Sequence, residues 1–185
     1  TAMNCDVGTQ TIQVTCTDKS GAEASESDSY VLTVSNTNDA PTVTRALSAA
    51  STAEDGSYSL DASGMCTDVD VGDALAYTMA VAPSTLSIAS GTISGTPLNA
   101  DVGTHTITVT CTDDSSAAAT ASDSYVLTVT NTNDAPTVTS ALSAASTAED
   151  GSYSLDASSM CTDVDVGDAL AYTMSGAPST LSIAS

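Results

Sequence analysis

The sequence contains no Phe and no Trp, a single His, and only two basic residues, Lys19 and Arg45, against 23 acidic ones. Each shortage excludes something. A formal net charge of −21 repels nucleic-acid phosphates and anionic membrane surfaces alike. A hydroxyl nucleophile needs a base within hydrogen-bond reach, usually His, and the lone His105 has Gln10 at the matching place of the repeat described below. A carboxylate pair for glycoside cleavage works in a cleft with aromatic walls, which a chain without Phe or Trp is poorly equipped to build. No Gly-rich phosphate loop follows a strand-like segment, and no Cys-x-x-Cys or His cluster offers a zinc site. The sequence therefore reads as that of a non-enzyme. It has no run of about 18 apolar residues, so this segment inserts no membrane helix. With six Tyr as its only aromatics, its core must come from Val, Ile, Leu, Ala and Tyr, each large side chain contributing roughly 1.5–3 kcal/mol on burial.

What the chain has instead is repetition. The eight residues Asn36-Thr37-Asn38-Asp39-Ala40-Pro41-Thr42-Val43 return 95 residues later at Asn131 to Val138, and residues 1–90 agree with 96–185 at 75 of 90 pairs. The phase divides the chain into the C-terminal part of one module (1–37), a complete module (38–132) and the N-terminal part of the next (133–185). Such a chain is a window on a longer tandem array. Alternatively, parts 1–37 and 133–185 complete each other between neighbouring copies.

Within the complete module, apolar residues alternate with Ser and Thr at period two. Strands are expected over residues 41–47, 57–63, 74–81, around Leu86 and Ile88, over 91–97, 104–112 and 122–131. Pro41 places the first at a sheet edge, since Pro cannot donate to a central ladder. Seven short strands with turn residues between them describe an all-β, antiparallel sandwich. A turn of helix is expected only in the Ala-rich stretches 46–53 and 115–121.

The cysteines support this picture. Cys66 and Cys111 lie 45 residues apart, each on the inward phase of its strand and each followed by Thr-Asp. Pairing them closes a loop for which chain entropy gives about 4 kcal/mol, a gain that a thin core needs. Cys16 and Cys161 then carry the unmatched halves and bond across adjacent units, while Cys5, whose counterpart is Ala100, is left over. A disulfide framework places the protein outside the cytosol.

The acidic residues recur in groups: Glu54-Asp55 with Glu149-Asp150, Asp68-Val69-Asp70-Val71-Gly72-Asp73 with Asp163, Asp165 and Asp168, and Asp113-Asp114, joined in the linker by Asn131, Asn133 and Asp134. Carboxylates at i, i+2 and i+5 around a Gly can turn their oxygens onto a hard cation such as Ca2+, which takes six to eight oxygens. Solvated Asp turns are the plainer alternative. Glu54, Asp68, Asp70 and Asp73 lead the set of metal ligands, followed by Asp113, Asn131, Asn133, Asp134, Glu149, Asp163, Asp165 and Asp168.

These residues resemble a known family. Asn36-Thr37-Asn38-Asp39-Ala40-Pro41 is similar to the linker of cadherin repeats, Asp68-Val69-Asp70 to their Asp-x-Asp calcium motif, and Val109-Thr110-Cys111-Thr112-Asp113 to their Val-x-Ala-x-Asp strand end. The stretch from Leu86 to Pro97, with Asp101-Val102-Gly103-Thr104, resembles dystroglycan-type cadherin-like and bacterial immunoglobulin-like repeats. The resemblance spans the whole module and implies a Greek-key sandwich in extracellular tandem arrays, adhesive and with calcium between modules. It fails at Leu98-Asn99-Ala100-Asp101, where cadherins carry Leu-Asp-x-Glu, and Lys19 stands opposite Asp114; one or two ions per junction fit better than three.

The expectation is a structural module of a cell-surface fibre or large adhesin, disulfide-stapled and calcium-rigidified, whose partners are neighbouring copies or repeats. The many Ser and Thr would suit O-linked glycans. A carbohydrate- or protein-binding module acting through loop 19–26, where the copies differ most, and a pilus-like subunit completed by strands of neighbouring copies are the alternatives.

Overall fold

A computed structural model describes residues 2–19, 21–115 and 117–183. In chain order its strands are β1 (Gly8–Thr17), β2 (Ser25–Val34), β3 (Thr42–Val43), β4 (Ala50–Ala53), β5 (Tyr58–Asp61), β6 (Cys66–Thr67) and β7 (Ala76–Ala80). They continue with β8 (Leu86–Ala89), β9 (Thr92–Gly95), β10 (Gly103–Thr112), β11 (Thr120–Thr130), β12 (Thr137–Val138) and β13 (Cys161–Thr162). From β3 to β11 the chain forms a sandwich of a four-stranded sheet, ordered β4-β11-β10-β7, and a three-stranded sheet, ordered β5-β9-β8, with β3 paired to β6.

Alternation drives this arrangement. On β10, Ile107, Val109 and Cys111 are fully buried while the intervening Thr side chains face outward; on β11, Tyr125, Leu127 and Val129 do the same. Ile93 closes the core from the other sheet, and Met65 from the turn before β6. Its two buried tyrosines meet there, Tyr58 Oη donating to Tyr125 Oη at 3.1 Å, which satisfies hydroxyls that burial would otherwise orphan. The Cys66–Cys111 disulfide joins β6 to β10 between the layers, as the inward phase of both residues predicts.

Nine strand segments stand where seven were expected, because β6 follows β5 after a turn and β4 is an addition. Only Thr42–Val43 of residues 41–47 is extended as β3, and a turn held by Met65 N–H on the Ala62 carbonyl separates β5 from β6. The Ala-rich stretch after Leu47 was expected to allow a helical turn and instead supplies β4, which runs parallel to β11 in register Leu127↔Ala50 through Thr130↔Ala53. The open edge of β11 offers a ladder of hydrogen bonds that outweighs the helix preference of Ala. The single turns of 3-10 helix lie elsewhere, at Asn4–Asp6 and Asn99–Asp101.

Flanking the sandwich, β1 and β2 pair as a hairpin with the register of β10 and β11 shifted by one repeat. Val14 and Tyr30 are exposed there, although their counterparts Val109 and Tyr125 are core, since no sheet among the described residues covers that hairpin. Beyond the linker, β12 and β13 repeat the β3–β6 pair. The pairing of β4 with β11 does the most for the site: it delivers Glu54 to the foot of the sandwich, with Glu54 N–H on the Thr130 carbonyl at 3.0 Å.

Candidate metal centre

The loop after β6 folds upon its own carboxylates. Asp70 N–H donates to Asp68 Oδ1 at 2.8 Å, and Asp73 N–H to the Asp70 carbonyl at 3.4 Å. Gly72, at φ 103°, supplies the left-handed residue that closes the loop. Asp68, Asp70 and Asp73 thereby offer oxygens within 4.8 Å of one another. Asp70 is 4% exposed and takes the linker's Asp39 N–H on Oδ2 at 2.7 Å. Asp68 Oδ2, Asp70 Oδ1 and Asp73 Oδ2 are buried without a donor among the described residues. An ionised carboxylate only accepts hydrogen bonds, so three orphaned oxygens in one loop are costly until a proton or a cation arrives. Burial, and then the carboxylates of Asp114, Asp70, Asp68 and Asp113, hold the Asp73 carboxyl above the ordinary Asp value.

One repeat further on, the same loop meets the foot of the sandwich. Glu54 is 2% exposed; its Oε1 accepts from Thr132 N–H at 2.7 Å, and its Oε2 is buried without a donor among the described residues. Asp134 N–H donates to Asp165 Oδ2 at 2.8 Å, and Asn99 Nδ2 to Asp165 Oδ1 at 2.9 Å. Glu54, Asp134 and Asp165 present oxygens within 4.8 Å, as do Asp163, Asp165 and Asp168, so Asp165 belongs to both clusters. Sandwich, linker and following loop each contribute one carboxylate to the first of these. Burial, followed by Asp165, Asp55, Glu54 and Asp163, raises the Asp134 carboxyl above its ordinary value.

The remaining candidates lie around these clusters. Asp113 accepts from Ser115 Oγ at 2.6 Å and Asn38 Nδ2 at 3.0 Å; those bonds, the serine's foremost, hold its carboxyl below the ordinary range. It acts on Asp73 through its charge. Asn133 is exposed, its Nδ2 turned onto the Asp134 carbonyl at 2.8 Å, and Asn131 is exposed as well. Glu149 is exposed, unlike its counterpart Glu54, because among the described residues no strand paired as β11 is with β4 stands beside it. Cys5 and Cys16 are exposed thiols and Cys161 is half-buried. Ser20 and Ser116, in the most divergent loop, lie outside the described residues.

Sequence reasoning gave Asn4 and Asn99 no role, yet both reach seam carboxylates, Asn4 Nδ2 lying 3.0 Å from Asp39 Oδ2. A signal was present. Both copies keep Asn while Ala2/Pro97, Met3/Leu98 and Cys5/Ala100 differ around it.

Residues 40–130 match the family model described as "Putative Ig domain". A comparison with curated proteins gives no match. Among solved structures, the extracellular domain of protocadherin GammaB4 is 25% identical over 69% of this chain and 23% of its own, with a TM-score of 0.52. Mouse cadherin-23 EC22-24 is 18% identical over 68% of this chain and 43% of its own, with a TM-score of 0.50. An endo-fucoidan hydrolase from glycoside hydrolase family 107 is 24% identical over 70% of this chain and 20% of its own; its TM-score of 0.42 carries no argument. The chain thus spans less than half the length of each. The likeness to the two cadherin structures is one of fold.

Proposed function

From the premise that this sandwich is an immunoglobulin-like module of cadherin fold, we propose that the chain is a structural segment of an extracellular tandem-repeat fibre or adhesin whose module junctions are stiffened by calcium. The complete module is 38–132, flanked by parts of its neighbours at 1–37 and 133–185. The disulfide suits an oxidising compartment.

One observation carries the reading. The orphaned, buried Oε2 of Glu54 stands with Asp134 and Asp165, three carboxylates from three segments that repel one another unless a cation lies between them. The donor set is oxygen only, which favours a hard cation over zinc or copper. Glu54, Asp134 and Asp165 would hold one ion across the seam, and Asp163 and Asp168 would share Asp165 with a second; Asp68, Asp70 and Asp73 form the equivalent of the second at the preceding seam. The ion supplies positive charge and fixed coordination. The protein supplies a seam whose parts converge only when the modules are aligned.

Isothermal titration of the metal-free chain with calcium chloride tests this. Saturable binding that is weakened at least tenfold by Glu54→Ala or Asp165→Asn supports the reading, and the absence of saturable heat contradicts it.

A further inference from the structure

The two seams hold equivalent side chains in two arrangements. At the second, Asn99 donates Nδ2 to Asp165 Oδ1 at 2.9 Å while Asp134 N–H donates to Oδ2 at 2.8 Å. At the first, the backbone contact recurs, from Asp39 N–H to Asp70 Oδ2 at 2.7 Å, but the amide does not follow. Asn4, the counterpart of Asn99, donates instead to Asp39 Oδ2 at 3.0 Å. Asp70 Oδ1 is then left buried without a donor among the described residues, in the same loop as the orphaned oxygens of Asp68 and Asp73.

We infer that this Asn is a latch competing with the cation for one atom, Oδ1 of the second Asp in the Asp-Val-Asp loop. Engaged, as Asn99 is, it ties a module directly to the loop beyond the linker without metal. Released, as Asn4 is, it leaves that oxygen facing its two acidic neighbours. An amide N–H and a cation both seek the lone pairs of the same oxygen and repel each other, so binding the ion at Asp165 means breaking the Asn99 bond. Both 3-10 turns, Asn4–Asp6 and Asn99–Asp101, place their Asn at the seam by the same device: the third residue's carboxylate accepts the N–H that precedes the turn, at 2.9 Å from Met3 and 3.0 Å from Leu98. A carboxylate in place of Asn99 could not donate, and would add to the charge that the ion must offset. The competition rests on the calcium reading above; the latch itself does not.

The test uses the 185-residue chain as wild type, Asn99→Ala, Asn99→Asp and Asn4→Ala, with small-angle scattering in chelator and calorimetric titration with calcium chloride. In chelator, Asn99→Ala and Asn99→Asp both widen the spread of seam angles and broaden the distance distribution beyond that of the metal-free wild type. Because hydrogen bonds to charged groups are worth somewhat more than a tenfold change in affinity, Asn99→Ala binds calcium about tenfold more tightly at that seam. Asn4→Ala, lacking such a bond to break at Asp70, leaves calcium affinity unchanged. Metal-free scattering that is identical for wild type and both Asn99 variants overturns the latch. Weaker calcium binding by Asn99→Ala makes Asn99 a ligand and overturns the competition. If the wild type takes up no calcium, the calcium reading fails, and the metal-free scattering alone decides the latch.

Discussion

At the residue scale, the carboxylates divide into those the fold satisfies and those it leaves waiting. Asp113, Asp61 and Asp156 are held below the ordinary Asp value, each chiefly by a serine hydroxyl, so the stability they bring is present above that value and lost as pH falls through their lowered ones. Asp73 and Asp134 behave in the opposite sense. Their carboxyls are raised, so the folded chain holds their protons more tightly than the unfolded chain does, and stability falls as pH rises from the ordinary value of 3.8 through the raised ones. The metal-free chain therefore melts higher as pH is lowered from neutrality toward about 4, and lower again below that. Saturating calcium abolishes the acid-side rise, because an ion already offsets the repulsion. Thermal melts across pH, with and without chelator, check both halves. The acidic groups were legible from spacing alone, since Asp-Val-Asp around a Gly is visible in any reading of the chain. Asn99 was not, because a neutral amide advertises no charge, and its partner Asp165 lies 66 residues away.

At the element scale, period-two alternation located every strand of the sandwich except β4 and the two-residue β6, which falls just past the expected 57–63. Alternation reports which side of a strand is wet, and β10 and β11 obey it along their lengths. It says nothing of a short Ala-rich segment recruited by a neighbour's open edge, which is why β4 and its parallel pairing with β11 were missed. The 3-10 turn at Asn99–Asp101 escaped for a related reason: its Asp101 carboxylate accepts from Thr85 Oγ1 at 2.7 Å, a contact between distant loops. Two substitutions test the packing. Ile93, fully buried on β9, loses about 2–5 kcal/mol as Ile93→Ala, measured by urea unfolding. Gly91 leads into β9 at φ 78°, where an added Cβ would come 2.6 Å from Ser63 Cα; Gly91→Ala costs at least about 1–3 kcal/mol, while an alanine at exposed Gly21 costs far less. The disulfide bridges β6 and β10 over 45 residues of chain, so Cys66→Ser with Cys111→Ser lowers stability by up to about 4 kcal/mol. Non-reducing peptide mapping that recovers a free Cys66 would contradict the pairing.

At the scale of the whole molecule, near-identity of the copies places meaning at the seams. A chain of charge −21 repels other anions, and the central core forms from the strands of one chain. What each copy contributes is a foot bearing Glu54 and Asn99, a linker bearing Asp134, and a loop bearing Asp163, Asp165 and Asp168 that the next copy presents. The linker Asn36 to Val43 first marks the repeat in the sequence; in the fold it gives its Asp39 N–H to the loop carboxylate of Asp70. The central claim is that cations set the stiffness of this seam, and small-angle scattering of the chain in calcium and in chelator tests it most directly. The account predicts a longer, narrower distance distribution in calcium, and a shift to shorter and broader distances on chelation that readdition of calcium reverses. Superimposable curves under the two conditions, at equal protein concentration and ionic strength, would contradict it.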